Sequence, residues 1–312
     1  MTDDLNVEWV SVPTCPLCEN EEHEVFYVEI PAKRPITHWR ICPECGHVFC
    51  SPRPSDTWLH DWYTCGYREM TYGNEDPEKL SIASVEDEIQ RAIRLCNMLL
   101  RTAPKVTRAL DIGSSTGALL AGIFDKFEPQ MAYGVEPNDC YRAFAEARAA
   151  EAPDLPGHLN LVSTLDQVPK SPKFDLVTAV EVLEHVPDPL GMLTLLREKY
   201  MRQDGYILVA TPILFGGHIS PMWFPHVHVF HHDTLLLMLR KAGFYPFLFE
   251  TYDASQYPFC AAPIQMIAMA TVKDHGYNTS HMLDKFNMCR EHTQALKREL
   301  EDAKARQGYR AG

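Results

Sequence analysis

The chain has 312 residues, 46% of them hydrophobic, so it is long enough for roughly two domains and can bury a sizeable core. These numbers exclude a disordered chain and a disulfide-stapled miniprotein. The net charge is −13, and residues 1–80 hold 15 acidic but only 6 basic side chains, which argues against a nucleic-acid partner. No apolar run approaches the ~20 residues of a membrane span, and the N-terminus lacks a secretion signal. We therefore expect a cytoplasmic protein with no membrane partner.

Paired cysteines and short β-like runs characterise residues 1–55, which we interpret as a small N-terminal module. The β-like runs are Glu24–Ile30 and Thr37–Ile41. Residues 56–80 follow as a linker or lid segment, and a helical face of aromatic side chains that includes Trp58 marks its beginning.

From residue 81 to about 275, strand-like runs alternate with helical segments. This alternation predicts a mostly parallel sheet with helices on both faces. The last two strand-like runs are too close for a crossover helix, so they predict a hairpin and one antiparallel strand at the edge. Residues 276–312 are interpreted as a charged C-terminal helix. The predicted strands are Val106–Ile112, Met131–Val135, Leu159–Ser163, Phe174–Val180, Tyr206–Thr211, Tyr245–Thr251 and Ile264–Val272; the predicted helices are Ser84–Thr102, Ala118–Phe127, Asp139–Ala150, one that opens at Asp188 and Thr234–Ala242, with Asn138, Asp188 and Asp233 as N-caps.

Two Cys-Pro-x-Cys pairs in the N-terminal module have the spacing of a metal site. The four residues are Cys15, Cys18, Cys42 and Cys45, with 23 residues between the pairs. A reducing compartment keeps such cysteines as thiols, and four thiolates form a closed tetrahedral cage that suits structural zinc. Cys50 and His47 are nearby substitutes as ligands. Iron of the rubredoxin type is the alternative metal, whereas the acidic surroundings disfavour a zinc ribbon that reads nucleic acid.

A turn rich in small residues joins the first strand of the alternating region to its helix. Gly113, Ser115 and Gly117 let a ligand approach the backbone closely. Glu136 ends the next strand, where its carboxylate can accept hydrogen bonds from both hydroxyls of a ribose. Asp111 at the head of the turn would repel the pyrophosphate of NAD, but it suits a cofactor with an ammonium and a sulfonium group. The turn therefore favours S-adenosylmethionine, with an NAD-dependent enzyme as the alternative.

On these motifs, residues 80–275 resemble class I S-adenosylmethionine-dependent methyltransferases. The run Glu181–Pro189 is similar to a segment typical of members that modify small molecules and sugars. The resemblance implies a Rossmann-like, mostly parallel seven-stranded sheet with one antiparallel edge strand. It also implies that Asp111 and Glu181 lie near the methionine end of the cofactor and Thr164 near the adenine. The N-terminal cysteine module resembles the zinc-binding extension of some sugar C-methyltransferases, although their usual C-terminal domain is missing here.

Two histidines are candidates for the proton transfer that methylation of a hydroxyl requires. His185 follows a strand and therefore lies at the carboxyl edge of the sheet, where open α/β folds bind ligands. We expect His185 to act as general base or to orient the acceptor; the alternative is a histidine that only hydrogen-bonds its loop. His226 in the long segment Pro212–Phe230 is the competing base. A second metal built from the histidines of the segment Pro212–Phe230, which include His218 and His228, is a minor alternative, because no carboxylate lies at ligand spacing.

Three tyrosines of the linker segment are further candidates. Tyr63, Tyr67 and Tyr72 either close over the sheet edge to contact the acceptor or pack between the domains.

The leading hypothesis is a methyltransferase acting on a small hydroxylated acceptor, a saccharide or nucleotide-linked sugar, with O-methylation before C-methylation. The alternatives are another natural-product acceptor and a non-catalytic, cofactor-binding regulatory subunit. We expect the C-terminal helix to contact a partner chain or a second copy; the alternative is a lone solvated helix, because its apolar residues are sparse.

Overall fold

The computed structural model describes residues 6–30, 35–66, 85–103, 105–151, 159–214, 221–253, 264–274 and 298. Short elements make up its N-terminal part. They are β1 (Trp9–Val10), β2 (Glu24–Glu29), β3 (Thr37–Ile41), β4 (Val48–Cys50), β5 (Arg53–Pro54) and α1 (Asp56–Asp61), which continues into a π-helical turn over Trp62–Gly66. Both β-like runs predicted for this part are present as β2 and β3.

A seven-stranded sheet organises the rest of the described chain. Strands β9 and β10 lie near its centre, and their apolar side chains, such as Val177 and Leu208, are fully buried because both faces of the sheet are covered. The strands after β5 are β6 (Arg108–Ile112), β7 (Met131–Val135), β8 (Leu159–Val162), β9 (Phe174–Val180), β10 (Met201–Pro212), β11 (His228–Val229), β12 (Tyr245–Asp253) and β13 (Ile264–Thr271), of which only β11 lies outside this sheet.

The strand order across this sheet is β12-β13-β10-β9-β6-β7-β8. Strand β10 pairs parallel with β9 but antiparallel with β13, with Tyr206 opposite Thr271. Strand β12 pairs antiparallel with β13 and lies outside it, because the short connection between them allows only a hairpin. The predicted mostly parallel seven-stranded sheet with one antiparallel strand at this end is confirmed.

Helices cover the sheet at the positions that the sequence predicts, with ends that differ by a few residues. They are α2 (Glu86–Thr102), α3 (Ala118–Phe127), α4 (Asp139–Glu151), α5 (Pro189–Leu195) and α6 (His232–Lys241). Two predicted N-caps are confirmed, since Asn138 Oδ1 accepts the N–H of Cys140 at 3.0 Å and Asp188 Oδ1 accepts that of Gly191 at 2.8 Å. Asp233 was a wrong prediction, because it lies in the first turn of α6 and His231 is the N-cap.

A second sheet joins the N-terminal module to a distant part of the chain. Its strand order is β11-β4-β3-β2, and its core includes the fully buried Trp39. Strand β11 pairs antiparallel with β4, with His228 opposite Phe49 and Val229 opposite Val48. The sequence analysis identifies no strand at this position, because a two-residue strand has no periodicity to recognise.

Some predictions fall outside the described residues. Tyr67, Tyr72 and the C-terminal helix predicted for residues 276–312 belong to this group, apart from residue 298. Within the described ranges, no helix combines the length and the hydropathy needed to cross a bilayer.

Candidate active site and metal centre

A cavity of about 680 Å³ opens at the carboxyl ends of β6, β7 and β9. Ligands bind at this position in open α/β sheets, because the loops that follow the strands diverge there. The structure therefore brings together most of the residues that the sequence analysis selects. Those lining the cavity are Tyr63, Asp111, Gly113, Ser115, Glu136, Glu181 and His185.

The turn after β6 has the left-handed backbone that its small residues permit. Gly113 has φ of 69°, and a Cβ atom there would lie 2.7 Å from Val182 Cγ2. Gly117 has φ of 74° and begins α3, although it is not among the residues that line the cavity. Ser115 adopts φ of 46°, which is costly for a residue with a side chain. Its N–H donates to Glu136 Oε2 at 2.9 Å, and this hydrogen bond stabilises the strained turn.

Glu136 lies at the end of β7 and is nearly buried. Its Oε1 accepts the N–H of Asn138 at 2.8 Å, while its Oε2 accepts that of Ser115. Each carboxylate oxygen has two lone pairs, so both can accept a further hydrogen bond from a ribose hydroxyl. Burial raises the pKa of Glu136 to about 7.

Asp111 at the end of β6 is 2% exposed. The hydroxyl of Thr178 on β9 donates to its Oδ1 at 2.6 Å. Burial raises the pKa of Asp111 to about 7, because little around it compensates the charge of the carboxylate. The close backbone approach at Gly113 and two buried carboxylates fit a nucleoside cofactor that carries positive charge, as S-adenosylmethionine does.

Glu181 follows β9 with φ of 54°, a backbone conformation that residues with a side chain rarely adopt. Its carboxylate forms an ion pair with Arg91 of α2 at 3.0 Å. One turn earlier on the same helix, Glu88 accepts hydrogen bonds from the hydroxyls of Ser115 and Thr116 at 3.3 and 2.7 Å. The sequence analysis missed Glu88 and Arg91, because three-residue spacing of charges on an amphipathic helix is typical of a solvated face.

Thr164 is the predicted cofactor residue that the resemblance places near the adenine. It lies just after β8, where its N–H donates to the side-chain carbonyl of Gln167 at 3.2 Å. Ser163 N–H donates to the same oxygen at 2.9 Å. Thr164 does not line the described cavity, so a contact with the cofactor stays a prediction.

A second group of side chains lies at the cavity wall around His185. Its Nδ1 forms a hydrogen bond with the hydroxyl of Tyr63, which comes from the π-helical turn after α1. The ring of His226 crosses the His185 ring edge to face, with 4.6 Å between the centroids. Burial, and then the neighbouring His226, lower the pKa of His185 well below 6.5, so its ring is neutral at physiological pH.

His226 and Glu184, which both lie close to His185, are buried. His226 is 3% exposed, and its Nδ1 lies 2.8 Å from the carbonyl oxygen of Pro221. Glu184 is 1% exposed, and burial together with the charge of Glu181 raises its pKa to about 8. The sequence analysis missed Glu184, although its place beside His185 after a strand could have indicated a role.

Glu184 also corrects the expectation that no carboxylate accompanies the histidines. Glu184 Oε1 lies 3.9 Å from His185 Nε2. One ligand atom each from Glu184, His185 and His226 lies within 4.8 Å of the others. The fold brings this carboxylate from the loop after β9 to His226. The spacing of residues within Pro212–Phe230 could not indicate it, because Glu184 lies in another part of the chain.

The four cysteines of the N-terminal module converge as predicted. Cys15 Sγ lies 3.6 Å from Cys45 Sγ, and Cys18 Sγ lies 3.5 Å from Cys42 Sγ. Tetrahedral zinc with Zn–S bonds of ~2.3 Å needs sulfur atoms about 3.8 Å apart, so the four residues fit a zinc ion. All four sulfur atoms lie within 4.8 Å of one another.

The two substitute ligands make other contacts. Cys50 Sγ donates to the carbonyl of Pro52 at 3.2 Å, and burial raises its pKa to about 12, which disfavours a thiolate. His47 Nε2 lies 3.1 Å from His228 Nδ1, and both rings are buried. His47 therefore links the cysteine cluster to β11 instead of replacing a ligand.

Comparison with known proteins gives the following similarities. The methyltransferase domain family matches residues 85–246. Magnesium protoporphyrin IX methyltransferase (ChlM) from Synechocystis PCC 6803, with bound S-adenosylhomocysteine, is 15% identical with a TM-score of 0.50, covering 69% of this chain and 98% of that chain. N-methyltransferase NodS from Bradyrhizobium japonicum WM9 is 14% identical with a TM-score of 0.50, covering 67% and 98%. No curated protein matches this chain in sequence. At these identities, the two structures show a shared fold alone.

Proposed function

Because the chain belongs to the methyltransferase domain family, we propose that it transfers a methyl group from S-adenosylmethionine to a small hydroxylated acceptor. The acceptor is a saccharide or a nucleotide-linked sugar, with O-methylation the first choice and C-methylation the second. The observation that carries this proposal is the group of Tyr63, His185 and His226 beside the cavity that Asp111 and Glu136 line. Hydroxyl and imidazole groups are suited to bind and deprotonate the hydroxyls of a sugar.

The cofactor part of the proposal assigns the carboxylates. When bound, S-adenosylmethionine supplies an electrophilic methyl carbon on a sulfonium sulfur. Glu136 accepts hydrogen bonds from the ribose hydroxyls, and Asp111 with Glu181 lies toward the charged methionine end. Gly113 and Ser115 let the cofactor approach the backbone, since no Cβ fits at Gly113.

The acceptor part assigns the group around His185. A neutral imidazole can take the proton of an acceptor hydroxyl while the oxygen attacks the methyl carbon in line with the sulfur. The Tyr63 hydroxyl holds the ring of His185 in place, and His226 packs against its face. His226 is the alternative base.

We further propose that Cys15, Cys18, Cys42 and Cys45 hold a structural zinc ion. The paired sulfur distances of 3.5 and 3.6 Å support a tetrahedral cage. Four protein ligands leave no open position, so this ion organises the N-terminal module and takes no part in the reaction.

Replacement of His185 tests the proposed reaction. We expect His185→Gln to lower turnover by ~10²–10⁴-fold, because a positioned base contributes about that factor, while affinity for S-adenosylhomocysteine stays unchanged. The assay measures formation of S-adenosylhomocysteine with a panel of nucleotide-linked sugars, and calorimetry measures the affinity. His38→Gln, which changes an exposed histidine of β3, is the matched control.

The outcomes separate the two histidines. Turnover near that of the unaltered enzyme in His185→Gln, with a large loss in His226→Gln, would assign the base to His226. Cofactor binding without turnover on any hydroxylated acceptor of the panel would contradict the proposed acceptor class.

A further inference from the structure

Three side chains beside the cavity have the composition of a metal site that is separate from the cysteine cluster. Glu184, His185 and His226 each offer one ligand atom, and these atoms lie within 4.8 Å of one another. Glu184 Oε1 and His185 Nε2 are 3.9 Å apart. Ligand bonds of ~2.1 Å in a tetrahedral site require a separation of about 3.4 Å, so small side-chain rotations would complete the geometry.

Each of the three side chains also has an outer contact that orients it. The Thr211 hydroxyl donates to Glu184 Oε2 at 3.0 Å, which leaves Oε1 as the oxygen nearer to His185. Nδ1 of His185 bonds to the Tyr63 hydroxyl, and Nδ1 of His226 bonds to the carbonyl of Pro221. A proton on Nδ1 places the ring lone pair on Nε2, the form in which imidazole binds metals, and metal-binding histidines characteristically have such partners.

The burial of a carboxyl group beside two histidine rings favours a cation at this position. Glu184 is 1% exposed and lies beside the half-buried ring of His185 and the buried ring of His226, with the carboxyl group of Glu181 nearby. Arg91 forms its ion pair with Glu181. A buried carboxylate is costly unless a cation or hydrogen bonds compensate it. The hydroxyl of Thr211, a backbone N–H and the charge of Arg91 supply part of that compensation, and a bound cation would supply more.

We infer that Glu184, His185 and His226 form a divalent-cation site in which the cation binds oxygen atoms of the methyl acceptor. Two imidazoles and one carboxylate suit Zn²⁺ or Fe²⁺ better than the oxygen-seeking Mg²⁺ and Ca²⁺. Three protein ligands leave coordination positions open, so the site fits an acceptor with two adjacent oxygens, such as a vicinal diol. This inference rests on the proposed function for its acceptor.

The cation changes how the acceptor loses its proton. A hydroxyl bound to a divalent cation has a lowered pKa and releases its proton to water at the mouth of the cavity. The resulting oxygen lone pair forms the bond to the methyl carbon, and the electron pair of the broken carbon–sulfur bond stays on sulfur as a thioether. His185 then holds the cation, whereas in the cation-free enzyme it is the base.

Zinc stoichiometry tests the site without cofactor or acceptor. Elemental analysis after equilibration with micromolar free Zn²⁺ should find two ions per chain in the unaltered protein, one in the cysteine cluster and one in the new site. We expect one ion in Glu184→Gln and one in His226→Gln, and two in the matched control His38→Gln. One ion in the unaltered protein, or two in all four proteins, would overturn the inference.

Cobalt substitution shows that the variants are folded. Co²⁺ held by four thiolates gives strong sulfur-to-metal charge-transfer absorption, which nitrogen and oxygen ligands do not give. The absorption should be equal in all four proteins, since the cysteine cluster is unaltered. Loss of the second ion together with this absorption in both ligand variants would overturn the assignment of the ion to Glu184 and His226.

Turnover separates failure of this site from failure of the proposed function. Removing the second ion with a weak chelator should lower methyl transfer at least ~10-fold, and added Zn²⁺ should restore it. Full turnover with only the cysteine-bound ion would refute the site and leave the proposed function intact. Two ions with no turnover on any hydroxylated acceptor would support the site and refute the proposed function.

Discussion

At the scale of single residues, the proposed cofactor site depends on two buried carboxyl groups of the cavity, Asp111 and Glu136. Burial raises the pKa of Asp111 and of Glu136 to about 7, so in the empty cavity each is partly protonated at neutral pH. The cofactor needs both in ionised form, because an ammonium group attracts a carboxylate and ribose hydroxyls donate to one. Binding and proton release are therefore coupled.

This coupling predicts the pH dependence of cofactor affinity. Below pH 7 the carboxyl groups must lose protons on binding, so the affinity for S-adenosylhomocysteine should fall about 10-fold or more from pH 8 to pH 6, since one pKa unit corresponds to ~1.4 kcal/mol. Isothermal titration calorimetry at several pH values measures this. Glu136→Gln cannot ionise at that position and should bind more weakly with a shallower pH dependence. Affinity that is constant or higher at pH 6 would contradict the assigned roles.

The sequence indicates most of the residues that line the cavity. It does not indicate those whose contacts depend on a residue far away in the chain. Asp111, Gly113 and Glu136 follow predicted strands, and their position at the sheet edge is confirmed. Arg91 has a functional contact only because the fold brings its helix over Glu181, 90 positions later. Local spacing contains no information about that ion pair.

At the scale of elements, β11 connects the cysteine module to the side chains around His185. The N–H of Cys50 donates to the carbonyl of Val227 at 2.9 Å, and the N–H of Val227 donates to the carbonyl of Glu184 at 2.8 Å. His226, the neighbour of Val227, is therefore held between β4 and the loop after β9. The N-terminal module, in which we propose a zinc ion, therefore also positions His226.

Loss of one cysteine ligand should accordingly affect residues far from the metal. We expect Cys42→Ser to lose zinc and to accelerate hydrogen exchange of the amides at Val227 and β11, because metal binding contributes much of the folding free energy of such a module. Affinity for S-adenosylhomocysteine should not change, since β6 and β7 belong to the other sheet. Mass-spectrometric exchange measures this, with exposed Cys65→Ser as the control. Unchanged protection of β11 in zinc-free Cys42→Ser would contradict the link.

The sequence predicts a strand well when its hydrophobic pattern is clear, and poorly when the strand has no such pattern. Strands β6, β7 and β9 are apolar runs between turn residues and are recognised within two residues of their observed ends. Strand β10 begins at Met201, five residues before the prediction, because residues 202–204 are polar and exposed and therefore give no apolar run to recognise. Strand β11 depends on pairing with β4, and no local pattern indicates it.

At the scale of the whole molecule, the described lining of the cavity comes from the part of the chain before the C-terminal region. The described residues that line it all lie between Asp56 and Tyr252. We therefore propose that residues 276–312 contact a partner chain or a second copy and are not part of the catalytic core. Their role in assembly stays a prediction, since these residues lie outside the described ones apart from residue 298.

Truncation after residue 280 tests this separation. Affinity for S-adenosylhomocysteine should stay unchanged in calorimetry, because no described lining residue is removed. Light scattering should show a lower molar mass if the region joins two copies. A Gly/Ser segment of equal length in place of residues 281–312 is the matched control for chain length. Loss of cofactor affinity in both proteins would place the region in the catalytic core.

The pairing of β4 with β11 has a consequence for synthesis on the ribosome. His47 and His228, which connect the two strands, are 181 positions apart. At ~5–20 residues per second, β4 emerges roughly 10–40 s before its partner strand, and in that interval it is a sheet edge with unpaired backbone groups. Metal binding by the four cysteines, all of which precede β4, would leave this edge open to neighbouring chains. Association of nascent chains through this edge would then lower the yield of correctly folded protein.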